Sequence, residues 1–339
     1  MLSRRAFTLA TAAAAGLRGQ QPPSQPAPQS NIRVSVNEVV VPVTVTDEKS
    51  RFVSDLDAGD FEIFDEGRKQ KISYFSREGK QPVVVGFLLD LSNQSRLHWK
   101  TYQEAARELV WNLLPGDKKY SGYLIGYHTE AELMVNTTSD SEPITERIAK
   151  LKPSGGEALF DSIYMACTRR NLVKGEPIEP RRILIIIGDG HDNASKKTMD
   201  EVLELAQRNL VTIYGVSTVA FGFASEGEKI LERLALETGG RVLYPLQGLY
   251  KDVSGYLSTP SDEGNYALKV GTGGYAAEIA SGIFRSIAAV AGEITTQYIM
   301  RYIPDNTDQD KIFRKLEVRV PKLPLVKIRA RTGYYPTGV

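Results

Sequence analysis

Short apolar runs alternate with amphipathic stretches between residues 82 and 245, and this rhythm predicts an α/β fold. The runs VVVGFLLD at 83–90 and ILIIIGD at 183–189 are apolar at nearly every position, which is typical of strands buried on both faces. The intervening stretches space their apolar side chains as helices do, and they predict helices at 98–113, 142–151, 158–170, 197–209, 225–238 and 275–292. We therefore expect a doubly wound, mostly parallel sheet.

A different pattern, which alternates in period two, flanks this region on both sides. Before it, VSVNEVVVPVTVTD predicts one strand, and FEIFDEGRKQKISYF predicts two strands joined through Asp65, Glu66 and Gly67. After it, ITTQYIMRYIP, FRKLEVRV and LVKIRARTGYY predict three more. Because isolated two-stranded pieces are marginally stable in water, we expect the two groups to pair into an accessory β-sandwich-like domain. A separate C-terminal hairpin packed on the sheet edge is the alternative.

The first residues have the composition of an export signal. SRRAF at 3–7 is a twin-arginine (Tat) pattern, LATAAAAGL at 9–17 is a short apolar core, and the alanines at 13–15 supply a cleavage site. An ordinary secretory signal that contains two arginines is the alternative. No later stretch reaches the ~18 apolar residues that span a bilayer, so we expect a periplasmic or secreted protein with no transmembrane anchor.

These patterns predict five parts of the chain: a signal peptide at 1–19, a Pro/Gln-rich linker at 20–31, an N-terminal β domain at 32–79, the α/β domain at 80–293 and C-terminal strands at 294–339. Residues 247–273 break the α/β rhythm. A loop of this length without secondary structure is commonly functional or mobile, so a role in partner binding and a simple surface excursion both remain open for it.

Composition excludes several classes of function. The chain has 42 basic and 41 acidic residues and a formal charge of +1, so it lacks the basic footprint of a nucleic-acid-binding protein. Cys167 is the single cysteine and cannot form an internal disulfide. The three histidines, His98, His128 and His191, do not pair at the spacing of a zinc site.

Polar side chains follow both central strands of the predicted sheet. Asp90 ends the first strand and Ser92 lies just behind it, while Asp189 ends the second. Glu157 follows the double glycine of PSGGEALFDSI at 153–163. Open α/β sheets bind ligands at the carboxyl ends of their strands, so we expect these side chains to converge there.

The order D-x-S, GG-x-AL-x-D and DG-x-D resembles the von Willebrand factor A domain and its metal-ion-dependent adhesion site. The resemblance implies a Mg²⁺ or other divalent cation (Mn²⁺, Ca²⁺) and an open coordination position that accepts a carboxylate from a protein partner. Asp90, Ser92 and Asp189 match the pattern, whereas Gln94 replaces a serine and Glu157 replaces a threonine. Both replacements still supply oxygen atoms. The implied ligands are Asp90, Ser92, Gln94, Glu157 and Asp189, with three carboxylates where the family has two.

The β-pattern before the α/β region resembles that of bacterial exported "VWFA-related" proteins, and the whole resemblance spans residues 31–336. It implies a non-enzymatic protein-binding module. Two alternatives remain. One is a metal-independent interaction scaffold with a vestigial site. The other is a hydrolase of the haloacid dehalogenase type, because GDGHDN resembles the closing motif of that family. Against the hydrolase, Ser92 stands where that family places its second aspartate. We also expect Asp192 and Asn193 to cap the helix that follows them.

The export signal gives the first testable prediction. Replacing both Arg4 and Arg5 with lysine should block export, because the twin-arginine pair is the feature that the Tat route recognises. The measurement is the periplasmic yield of the mature protein in wild-type and Tat-deficient hosts. An unchanged yield in the Tat-deficient host would favour the ordinary secretory signal.

Overall fold

The computed structural model describes residues 38–77, 82–96, 99–169, 172, 180–219, 226–245, 272–305 and 312–336, with the side chains of the last helix described from residue 280 onward. The predicted signal peptide, the linker and residues 247–271 lie outside this part of the chain. The described residues belong to one compact unit, 37–339.

The strands are β1 Val39–Thr46, β2 Glu62–Asp65, β3 Arg68–Gln70, β4 Ile72–Ser76, β5 Val83–Asp90, β6 Tyr120–Tyr127, β7 Ala131–Thr138, β8 Arg181–Gly188, β9 Thr212–Ser217, β10 Val242–Leu243, β11 Tyr298–Tyr302, β12 Arg314–Arg319, β13 Lys327–Arg329 and β14 Gly333–Tyr334. The helices are α1 Trp99–Leu113, α2 Glu142–Ala149, α3 Leu159–Thr168, α4 Met199–Arg208, α5 Glu226–Thr238 and α6 Thr272–Thr296.

Six strands form the central sheet in the order β10-β9-β8-β5-β6-β7, and only β7 runs antiparallel to its neighbour. Side chains of β5 alternate between the two faces. Val85, Phe87 and Leu89 pack with α1, α2 and α6, while Val84 and Leu88 pack with α3, α4 and α5. The fully buried strands therefore have helices on both sides, as their continuous apolar sequence predicts.

Strands from the two ends of the chain pair with each other in two further sheets. The first has the order β13-β1-β11-β4 and the second β14-β12-β2-β3. Their inward side chains, including Val41, Ile63 and Met300, share one apolar core. The buried Asp65 carboxylate between them accepts hydrogen bonds from the hydroxyls of Tyr302 and Tyr334, at 2.9 and 2.8 Å. The predicted pairing of N- and C-terminal strands is confirmed; the predicted domain limits stay a prediction.

The structure corrects three predicted elements in these flanks. The segment predicted as two strands forms three, because β3 continues the hairpin with β2 whereas β4 crosses to pair with β11 in the other sheet. The last predicted run likewise divides into β13 and β14, which belong to different sheets. Helix α6 continues to Thr296, so β11 begins only at Tyr298, later than the predicted strand at 294. The two strand corrections reflect long-range pairing that local periodicity does not encode.

A buried carboxylate joins α6 to the flanking strands. The side chain of Glu293 is fully buried and receives the guanidinium groups of Arg241 at 2.7 Å and Arg329 at 2.8 Å. It also accepts hydrogen bonds from the hydroxyls of Thr44, at 3.1 Å, and Tyr214, at 3.4 Å. Its partners thus lie on β1, on β9, directly before β10 and on β13, so one side chain joins the central sheet to the sheet made by the chain ends.

No helix in the described part of the chain is both long and apolar enough to cross a membrane.

This junction generates a stability prediction. Glu293→Gln should destabilise the protein by about 3 to 5 kcal/mol, because it removes the buried carboxylate that pairs with the partly buried Arg241 and Arg329. Glu317→Gln is the matched control, since Glu317 forms an exposed ion pair with Arg319 whose contribution should be below about 1 kcal/mol. Equilibrium unfolding in urea measures both. Equal losses in the two variants would contradict the assigned importance of the junction.

Candidate functional site

The carboxyl ends of β5 and β8 bring two aspartates to one edge of the central sheet. Asp90 is the last residue of β5, and Asp189 follows the last residue of β8, its parallel neighbour. Gly188 lies in close contact with both Asp90 and the Tyr127 hydroxyl, where any side chain would collide with them. The sheet therefore brings the two aspartates to one edge, where the charge of Asp189 acts on Asp90.

The loop after β5 folds around the Asp90 and Ser92 side chains. Asp90 Oδ1 accepts a hydrogen bond from the backbone N–H of Ser92 at 2.7 Å, and Ser92 Oγ accepts one from the N–H of Gln94 at 3.2 Å. The hydroxyl of Ser95 donates to the Ser92 carbonyl at 3.0 Å. Asp90 and Ser92 are buried, at 2% and 1% exposed, yet Asp90 Oδ2 has no hydrogen-bond partner. An unpartnered buried carboxylate oxygen is costly, and a cation would satisfy it.

Glu157 reaches this loop from the turn before α3. Gly155 adopts a φ of +86°, which favours glycine, and the chain then places Glu157 beside Ser92. Ser92 Oγ donates a hydrogen bond to Glu157 Oε1 at 3.4 Å, and Asn193 Nδ2 donates to Oε2 at 3.0 Å. The Glu157 N–H donates to Asn193 Oδ1 at 2.9 Å. The backbone N–H groups of Asn193 and Ala194 both donate to the Glu157 carbonyl at 3.0 Å. The buried carboxylate is therefore held at both oxygens.

His191 contacts both carboxylate oxygens of Asp189. Asp189 Oδ1 accepts a hydrogen bond from the N–H of His191 at 2.9 Å, and Asp189 Oδ2 lies 3.0 Å from His191 Nδ1. Its side chain is 14% exposed and that of His191 42%, so this pair forms the more open side of the site.

Burial and nearby negative charges disfavour the charged forms of Asp90 and Glu157. Burial raises the pKa of Asp90 to about 7, and the nearby charges of Asp189 and Glu157 add to that rise. Burial and the Asp189 charge likewise raise the pKa of Glu157. The pKa of the fully buried Tyr127 is raised well above its ordinary value by burial and by these carboxylates. Excess negative charge at one place is the condition under which a dication stabilises a folded site.

The predicted ligands are not equally well placed for a cation. In the part of the chain that the structure describes, no three His, Cys, Asp or Glu side chains converge as a metal-binding group. The Ser92 hydroxyl donates to the Glu157 carboxylate, and the charges of Asp189 and Glu157 both act on Asp90. Carboxylate and hydroxyl oxygens of this kind suit a hard cation that also keeps water ligands. Gln94 is exposed and joins the loop through its backbone. The roles of Asp90, Ser92, Gln94, Glu157 and Asp189 as ligands all stay predictions.

The prediction that Asp192 caps the helix that follows it, α4, is wrong. Asp192 Oδ2 accepts hydrogen bonds from the N–H of Phe160 at 2.8 Å and from the hydroxyl of Ser195 at 2.6 Å, so it caps α3 rather than the helix that follows it. That following helix, α4, has its own capping box, in which Thr198 Oγ1 accepts from the Glu201 N–H and Glu201 binds the Thr198 N–H. The T-x-x-E spacing is a sequence signal that identifies this cap.

Asn193 is a site residue that sequence reasoning missed. It was expected to cap a helix, but its side-chain amide instead binds both the backbone and the carboxylate of Glu157. No local spacing connects positions 157 and 193, which are 36 residues apart, so only the folded structure reveals the contact.

Comparison with known protein families gives one match. Residues 85–247 match the family model of the von Willebrand factor type A domain. No curated protein matches the chain significantly.

Several solved structures are similar. The conserved hypothetical protein BatB from Bacteroides thetaiotaomicron is 17% identical over 52% of this chain and 100% of its own, with a TM-score of 0.40. The vWF domain of the type V pili tip protein Mfa5 from Porphyromonas gingivalis is 12% identical over 52% of this chain and 95% of its own, with a TM-score of 0.39.

Proximal thread matrix protein 1 from the mussel byssus, solved with a zinc-occupied MIDAS motif, is 17% identical over 54% of this chain and 48% of its own, with a TM-score of 0.42. The family match and the fold together identify residues 85–247 as a von Willebrand factor type A domain.

Proposed function

We propose that the chain is an exported, non-enzymatic protein-binding module whose von Willebrand factor type A domain holds a divalent cation at the carboxyl edge of its central sheet. The observation that carries the cation is the Asp90 Oδ2 atom, which is buried and has no partner while two other carboxylates lie near it. Asp90, Ser92 and Glu157 would hold the ion, and Mg²⁺, Mn²⁺ and Ca²⁺ all favour such oxygen ligands.

The chemistry of the site favours binding over catalysis. A bound cation would neutralise the clustered carboxylates and orient the two loops that carry them. The hydrolase alternative requires a reactive aspartate that a substrate can reach, but Asp90 is 2% exposed and its neighbour two residues on is Ser92 rather than a second acid. A periplasmic or secreted location rests on the twin-arginine pattern at 3–7 and belongs to the same proposal.

The second candidate is a metal-independent interaction scaffold, and one observation favours it. Asn193 and Ser92 already satisfy the Glu157 carboxylate through protein hydrogen bonds. A protonated Asp90, whose pKa is about 7, would also relieve the repulsion without an ion. Thermal melts distinguish this scaffold from the cation-binding module.

Saturating Mg²⁺, Mn²⁺ or Ca²⁺ should raise the melting temperature of the mature wild-type protein by several degrees. A ligand at 100 times its Kd stabilises the folded state by about 2.7 kcal/mol. Asp90→Asn keeps the shape of the side chain but should lose this response. Asp200→Asn is the matched control, because Asp200 lies in α4 with its side chain 78% exposed, and it should respond as the wild type does. Identical melts of wild type and Asp90→Asn with and without the ions would favour the scaffold.

The raised pKa of Asp90 predicts a pH dependence in metal-free buffer. Its folded pKa of about 7 exceeds the ordinary value of 3.8, so the folded state binds the proton more tightly. This stabilisation is fully present below about pH 3.8 and is lost as pH rises through about 7.

The loss should amount to a few kcal/mol of unfolding free energy, since each pKa unit corresponds to about 1.4 kcal/mol. Urea unfolding at several pH values, with Asp90→Asn as the reference that lacks this group, measures it. Parallel pH curves for the two proteins would show that Asp90 does not titrate in this way.

A further inference from the structure

Glu157 differs from the rest of the site in the way it is held. Three backbone hydrogen bonds, with Asn193 Oδ1, Asn193 N and Ala194 N, fix its main chain. Asn193 Nδ2 then holds Oε2, which turns Oε1 toward the hydroxyl of Ser92. A glutamate has three rotatable side-chain bonds, and restraint at both ends removes most of that freedom. The carboxylate is therefore positioned in advance beside the Asp90 and Ser92 oxygens.

Burial leaves little room for an external ligand at the same place. Asp90, Ser92 and Glu157 are 2%, 1% and 4% exposed, so the chain itself covers the oxygens that would surround a cation. The Ser92 hydroxyl donates to Glu157 and accepts from the Gln94 N–H, which leaves one lone pair for an ion. On the more open side, His191 already contacts both oxygens of Asp189.

Charge leads to the same conclusion. The carboxylates of Asp90, Glu157 and Asp189 together bring up to three negative charges to a site that would hold an ion with two positive charges. An incoming carboxylate would therefore meet a site without a positive surplus, and like charges at such short range repel strongly where water is excluded.

We infer that Glu157 is an internal carboxylate ligand that takes the coordination position an acidic partner would otherwise occupy. This inference rests on the proposed cation site and specifies its use: the ion is structural, and protein partners bind without placing an acid on it. Asn193 is the positioning residue that directs Glu157 to this role. The surface left for a partner at this edge is the exposed rim, which includes Asn93 and Gln94.

The test uses Mn²⁺ as the probe and acetate as the competing carboxylate. Water-proton relaxation reports how many exchangeable waters the bound Mn²⁺ keeps, and added acetate lowers that number only if it can reach the ion. The mature wild-type protein should bind Mn²⁺, and its relaxation signal should not change on addition of acetate.

Glu157→Thr should bind Mn²⁺ at least about tenfold more weakly, because it removes a direct ligand. Its bound ion should carry more exchangeable water, which acetate then displaces. Glu157→Gln, which keeps the side-chain length and loses the charge, should also weaken binding, whereas Glu146→Gln, on the exposed side of α2, should not. Far-UV circular dichroism of each variant checks that the fold is retained.

The possible outcomes separate a failure of this inference from a failure of the proposed cation site. Acetate displacing water from wild-type Mn²⁺ would overturn the inference and leave the proposed cation-dependent module intact. Equal Mn²⁺ affinities of wild type and both Glu157 variants would likewise exclude Glu157 as a ligand. Absence of Mn²⁺ binding by the wild type would overturn the proposed cation site and, with it, this inference.

Discussion

The architecture depends on one buried ionic contact, the Glu293 carboxylate with Arg241 and Arg329 around it. A charge of this kind is tolerated in a protein interior only when its partners are fixed, and here they come from segments that are far apart in the sequence. Helix α6 must therefore pack on the central sheet and on the terminal strands at the same time. The von Willebrand factor type A domain is thus joined to its flanking strands through polar contacts as well as through an apolar surface.

The candidate site differs from this junction, because its buried carboxylates are incompletely paired. Asp90 Oδ2 has no partner, and burial together with neighbouring carboxylates raises the pKa values of Asp90 and Glu157, whereas two arginines contact the Glu293 carboxylate. Two buried carboxylate centres among the described residues thus differ: arginines neutralise the one at Glu293, whereas the one at Asp90 is the centre where we propose a cation. This contrast is the reason for assigning a structural role to the first and for proposing the second as a cation site.

Much of the fold could be predicted from the sequence because its signals are local. The apolar runs ending at Asp90 and Asp189 place both strands, and the order of the polar residues behind them indicates one sheet edge. The D-x-S motif of the von Willebrand factor A domain also identified Ser92 as a candidate site residue. Asn193 could not be predicted, since its link to Glu157 depends on the path of two loops. The division of β3 and β4 between two sheets was missed for a similar reason: a strand that changes sheets keeps its alternating pattern.

The pairing of β1 has a consequence for the order of folding. Its partners β11 and β13 lie at the other end of the chain, and the Thr44 contact with Glu293 spans 249 residues. At a synthesis rate of about 5 to 20 residues per second, β1 waits tens of seconds on the ribosome for those partners. Once the α/β domain has folded, its two ends lie close together, near the point where Ser76 pairs with Ile299. The loop that must close for β1 to reach its partners is then effectively shorter, and closing it costs less entropy. Until then the apolar run VVVPVTVT remains unpaired, and Pro42 within it removes one backbone donor that a second nascent chain could capture.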